Sequence, residues 1–183
     1  MITLHLEEQG ETLRFFGEPD PSAPIVEFEC SIAPGKNGPD PHIHPLQTET
    51  FHVTQGRMLA VVNGEERLVR EGETIIVGPG EAHTFSNPDP DTPLTMRITM
   101  EPALNFQWFL TEAARSAIRH GGHWKNMPLL ETSYIVAQVM DEHDMPGMPV
   151  FLKRLLFGTL ARLAVLLKKP GQIAPLRGST TVA

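Results

Sequence analysis

Between Ile2 and Met100, apolar and polar residues alternate in short runs, and turn residues break the pattern roughly every ten positions. This alternation predicts strands over residues 2–6, 12–16, 25–32, 50–54, 57–62, 65–69, 74–77, 83–86 and 94–100. Asn63-Gly64 is a strong two-residue hairpin signal, because both residues tolerate positive φ. Gln55-Gly56, Glu71-Gly72 and Gly78-Pro79-Gly80 mark further turns, and residues 33–45 read as a Pro/Gly-rich loop.

Near Glu101-Pro102 the pattern changes, and residues 105–119, 127–140 and 150–169 read as helices. On a helical projection, Leu152, Leu155, Leu156, Leu160, Leu163, Leu166 and Leu167 form one stripe. Lys153, Arg154, Arg162, Lys168 and Lys169 occupy the other half. The expectation is that the leucine stripe docks on the barrel, on another helix or on a partner subunit. A membrane-surface helix is the alternative that the same pattern allows. No membrane span is expected, because Arg162 lies mid-segment and Lys153 and Arg154 interrupt its start. The layout predicts a β-barrel over residues 1–101, a helical extension over 102–169 and an unstructured tail over 170–183.

Composition narrows the function classes. Fifteen Lys and Arg against 22 Asp and Glu give a net charge of −7 and a pI near 5.6. No basic stripe appears along the chain, so nucleic acid is not an expected partner. The single cysteine, Cys30, excludes an intrachain disulfide and agrees with a reducing cytoplasm. The polar, acidic stretch from Met1 to Glu11 does not read as a secretory signal.

The candidate chemistry lies in His42, His44, Glu49 and His83. Side chains two apart on a strand share a face, so His42 and His44 can aim at one point. Imidazole nitrogen with carboxylate oxygen suits one divalent ion (Fe, Ni, Mn, Zn or Cu). His52 alternates with Phe51 and Val53 and is expected to face away. His5, His120, His123 and His143 read as solvated, Gln47 as a solvated loop residue, Arg97 as exposed, and Asn87 as a cap of its own loop.

These residues resemble the two motifs of the cupin superfamily. Gly35, His42, His44, Glu49 and Gly56 follow the first, with Gly35 one residue too far upstream. Gly72, Gly80, His83 and Asn87 follow the second, with Gly78 at the usual proline position and Pro79 displaced by one. The wording His42-Ile43-His44-Pro45-Leu46-Gln47-Thr48-Glu49 and Glu101-Pro102-Ala103-Leu104 also looks like small single-domain bacterial cupins with a helical C-terminal extension.

The resemblance implies a mainly β fold, a cupin-type double-stranded β-helix or jelly-roll barrel, followed by C-terminal α-helices. It implies that His42, His44, Glu49 and His83 are metal ligands and that homodimers form, with the N-terminal strands and the leucine-rich helix as the nominated surfaces. Phe51 and Phe85 are expected to wall the site, together with either Met96, Ile98 and Met100 or their neighbours. The leading functional expectation is a dioxygenase-like oxidoreductase acting on a small, largely apolar organic substrate, with Glu49 also serving as a base. A non-redox cyclase, isomerase or lyase and a non-catalytic binding module are the alternatives, since fold and ligands do not choose among them.

Overall fold

The computed structural model describes residues 1–176. Nine antiparallel strands among them form two sheets. They are β1 (Ile2–Leu6), β2 (Glu11–Phe15), β3 (Val26–Ile32), β4 (Thr48–Gln55), β5 (Arg57–Val62), β6 (Glu65–Arg70), β7 (Thr74–Val77), β8 (His83–Ser86) and β9 (Leu94–Glu101). One sheet runs β1-β2-β3-β9-β4-β7 and the other β6-β5-β8, giving the two-sheet jelly roll expected from the sequence. Helices α1 (Phe106–Arg119), α2 (Leu129–Gln138) and α3 (Val150–Leu166) follow, with a 3₁₀ turn at Trp124–Asn126.

Local chemistry accounts for the strands. Asn63 and Gly64 have φ of 53° and 85°, so the β5–β6 hairpin closes through two residues with positive φ. Gly56, at φ 78°, joins β4 to β5 where an added Cβ would meet the Pro93 carbonyl oxygen at 2.6 Å. β4 begins two residues earlier than the alternation predicts, because Thr48 and Glu49 pair with Glu101 and Met100 of β9. That extension holds Glu49 inside a strand.

The inward faces of both sheets form one core. Leu6, Leu13, Phe28, Ile32, Phe51, Val53, Met58, Phe85, Met96, Ile98 and Met100 are all buried in it. Each such side chain stabilises the fold by roughly 1.5–3 kcal/mol relative to exposure. The rings of Phe15 and Phe28 stack at 4.9 Å, and Phe106 of α1 lies 5.6 Å from Phe28. This row of rings fixes the helical extension to the barrel.

Glu11 is an ionisable group inside this core. Its carboxylate accepts from Trp124 Nε1 at 2.7 Å and lies 3.7 Å from Cys30 Sγ. Burial raises its pKa to about 7, against the smaller lowering from those two contacts. The native state therefore holds a proton that the unfolded chain releases between about pH 4.5 and 7, so stability is lost as pH rises through that window. The effect is on the order of 3 kcal/mol. Glu11→Gln should remove this contribution: the urea midpoint of the variant relative to that of the parent should rise between about pH 5 and about pH 8, whatever the buried histidines add to both curves. Parallel curves for the two proteins would contradict the assignment.

The extension departs from expectation in two places. The leucine stripe of α3 docks on neither the barrel nor another helix: Leu152, Leu155, Leu156, Leu163, Leu166 and Leu167 are exposed. α3 packs on α2 and buries Ala161, Ala164 and Lys153 instead. Small side chains allow close helix approach, and the Lys153 ammonium is satisfied by the Asp144 carboxylate and the Met145 carbonyl. The chain from Pro170 to Leu176, expected within an unstructured tail, packs back on α1. Ile173 is buried, and Trp108 Nε1 donates to the Ala174 carbonyl at 3.0 Å. The rest of the expected tail, residues 177–183, lies outside the described residues. No helix among the described residues is long and apolar enough to cross a membrane.

Candidate metal centre

His42 and His44 sit on a loop that touches β8 rather than on a regular strand. His42 and His83 exchange two backbone hydrogen bonds, of 3.0 and 2.9 Å, which clamp the loop to the second sheet. His44 then projects on the same side as His42, while the Ile43 backbone turns outward to the helical extension. Glu49 comes from β4 of the first sheet and His83 from β8 of the second, so both sheets supply a donor.

One donor atom from each of His42, His44, Glu49 and His83 lies within 4.8 Å of the others. All four residues are buried, with exposures of 8, 2, 4 and 3 %. Each imidazole Nδ1 points away from the centre to a backbone carbonyl. His42 reaches Asp40 at 3.0 Å, His83 reaches Glu81 at 3.0 Å, and His44 reaches Glu142 at 3.4 Å. A carbonyl oxygen only accepts, so the proton is on Nδ1 and Nε2 presents a lone pair to the centre.

The donor set fits a cation. His83 Nε2 lies 2.7 Å, and His44 Nε2 3.5 Å, from Glu49 Oε2. Two lone-pair acceptors at 2.7 Å repel unless a proton or a metal ion stands between them. His44 Nε2 is buried and has no hydrogen-bond partner at all. Burial pushes the Glu49 carboxyl up, yet the close contacts and charge of His44 and His83 outweigh it and hold the group below the usual range. For His83, burial lowers the pKa but the Glu49 hydrogen bond and charge raise it further. His42 is pushed down to about 3 by burial and by the neighbouring His83. Without a metal ion His83 shares a proton with Glu49 across the 2.7 Å contact; a divalent ion would take the place of that proton and leave neutral imidazoles around the carboxylate.

The helical extension covers this centre. Ile43 and Asp144 exchange backbone hydrogen bonds of 2.8 and 2.9 Å. Glu142, which accepts from His44, also accepts from the Asn105 backbone at 2.9 Å and from its side chain at 2.6 Å, tying the start of α1 to the site. The Phe106 ring lies 5.6 Å from His44. Phe51 packs 6.2 Å from His83 and 5.4 Å from Phe85, in an apolar surround.

His143 is not solvated as expected; the structure places it against the site. Its ring stacks 5.4 Å from His42, lies 5.6 Å from His44, and rests on Phe109 at 4.7 Å. Its Nδ1 is buried without a partner, and burial followed by the charges of His42 and His44 holds its pKa well below the ordinary value. Nothing in the local sequence marks it, since only tertiary folding brings the segment after α2 over the barrel mouth. Gln47 is also buried, and it donates to the Pro102 and Ala103 carbonyls at 3.0 and 3.1 Å rather than to solvent. Asn87 caps its own loop by donating to the Ile32, Ala33 and Thr92 carbonyls. His52 and Arg97 lie on the outer face, with His52 3.0 Å from Thr74 Oγ1.

Comparison with known proteins places this arrangement. Residues 28–100, which hold all four donors, match the sequence family described as "Cupin domain". No curated protein matches the chain. Among solved structures it resembles KdgF from Halomonas sp., at 18% identity and TM-score 0.48 over 58% of this chain and 91% of that one. It also resembles the Schizosaccharomyces pombe Cnp3 cupin domain, at 16% identity and TM-score 0.45, covering 51% and 66%. A third is the polyketide cyclase RemF from Streptomyces resistomycificus, at 26% identity and TM-score 0.44, covering 51% and 66%. The chain thus spans just under two thirds of two of these three structures.

Proposed function

Residues 28–100 form a cupin domain, and from that premise we propose that His42, His44, Glu49 and His83 hold one divalent metal ion at the centre of a metal-dependent oxidoreductase. The substrate class in this reading is a small, largely apolar organic molecule. The observation that carries the metal assignment is the outward tethering of all three Nδ1 atoms, which leaves three lone pairs converging on a buried carboxylate. A bound ion would supply Lewis acidity and, for Fe, Ni, Mn or Cu, a redox couple for reaction with O₂.

The chain's own groups supply the remainder. Phe51, Phe85 and Phe106 exclude water and favour an apolar substrate. Glu49 is committed to its two histidine contacts, which weakens it as a proton carrier despite the basic role expected from the sequence. His143 is the neutral group with a free ring nitrogen, placed to hydrogen-bond a substrate beside His42 and His44. That free nitrogen favours one other reading, non-redox proton-transfer chemistry such as isomerisation, cyclisation or lyase activity.

The test is turnover of the metal-loaded protein on catechol and on an enolisable 1,3-diketone, with and without air. O₂ uptake matching product formation is the expected result. Undiminished anaerobic turnover would replace it with the proton-transfer reading. In either case, His143→Gln should keep its metal content and lose about a hundredfold in kcat. A variant with unaltered kcat would remove His143 from the reaction.

A further inference from the structure

We propose that α3 is a membrane-surface element that seats the protein on anionic lipid. Its exposed side is largely apolar, interrupted by Thr159 and Arg162: Phe151, Leu155 and Leu166 are 68, 67 and 77 % exposed, and Leu152, Leu156, Leu163 and Val165 are exposed beside them. One helix thus presents an extended apolar surface that nothing among the described residues covers, and such a surface marks an interaction site. At 17 residues, the helix is about 26 Å long, too short to span and suited to lying in the interface.

Charge selects the occupant. Residues 145–183 contain six Lys or Arg (Lys153, Arg154, Arg162, Lys168, Lys169 and Arg177) and no Asp or Glu. The net −7 of the chain therefore divides into +6 here and −13 in residues 1–144. Lys153 and Arg154 are used internally, on Asp144 and Asp141. Arg162, Lys168 and Lys169 are exposed and have no acidic partner among the described residues. At the C-terminal end of α3, Lys168 and Lys169 line an open hollow of about 520 Å³ with Arg119 and His120, both of which contact the single acid Glu131. Leucines flanked by free cations, beside a cationic hollow of headgroup size, match an acyl boundary below and anionic headgroups above.

A second copy fits less well. Isologous pairing of α3 with its own copy would bring two acid-free, cationic segments face to face.

The experiment is co-sedimentation of the full chain with vesicles of phosphatidylcholine alone and of phosphatidylcholine mixed with phosphatidylglycerol. Binding to the mixed vesicles only, weakened by added salt, is the expected result. Replacing Arg162, Lys168 and Lys169 by Gln should weaken it roughly fivefold per cation removed. Leu155→Ser with Leu163→Ser, both exposed sites, should weaken it at least about tenfold while circular dichroism and metal content stay unchanged. Failure to sediment with anionic vesicles overturns the proposal, as does equal binding to phosphatidylcholine alone. So does a dimer in light scattering that Leu155→Glu dissociates, or binding to soluble polyglutamate as tight as to the mixed vesicles.

Discussion

His83→Ala should abolish stoichiometric metal binding, weakening affinity for Zn²⁺ or Mn²⁺ at least about a hundredfold in calorimetric titration. Three imidazoles and one carboxylate share a space in which all donors lie within 4.8 Å, and His83 is the donor closest to Glu49. Its removal leaves Glu49 with only the 3.5 Å contact to His44 and takes away the one ligand held on the second sheet. The metal-free variant should also unfold more easily, because a buried carboxylate loses its shortest partner; that cost is about 1–3 kcal/mol. His52→Ala is the matched control. It removes an imidazole from the outer face of β4 and should leave affinity unchanged. Retention of one tightly bound ion per chain by His83→Ala would sink the proposed ligand set.

Phe28→Ala should cost about 3–5 kcal/mol in urea unfolding, the largest loss of stability expected from any single truncation in the barrel. Phe28 is 2 % exposed on β3, and its ring fills the space between Phe15 of β2 and Phe106 of α1. Alanine leaves a ring-sized void that strands on both sides, fixed by their ladders, cannot collapse to fill. Phe28→Leu should lose markedly less. Because Phe106 borders both Phe28 and His44, the double variant Phe28→Ala, Phe106→Ala should depart from additivity by more than about 0.5 kcal/mol. A loss below about 1 kcal/mol for Phe28→Ala would mean the ring row is not a packing element.

Much of this was legible in the sequence, and the reasons are physical. Period-two alternation and positive-φ turn residues are local codes, so the strands around Asn63-Gly64 and Gly56 appear almost residue for residue. The clustering of the four candidate donors was legible through the two motif resemblances, whereas the strand alternation expected to aim His42 and His44 gives way to a loop bridged to β8. What the sequence hides is set by tertiary contact. α3 is apolar on nearly every side, so periodicity cannot tell which stripe docks. The small residues Ala161 and Ala164 take the packed face and the leucines are left outside. Lys153 reads as a surface cation until Asp144 is brought beneath it. His143 looks like any loop histidine until the turn after α2 folds over the barrel mouth.

The paired amide contacts between Ile43 and Asp144 join the ligand-bearing loop to the segment that bears His143. A molecule arriving at the imidazoles from that end must first part these two strands of chain. Arrival and departure would then be timed by how often the clasp opens, and tight affinity would not guarantee fast capture. Those two amide protons are natural reporters of that gate, since their exchange with deuterated solvent would count its openings one by one.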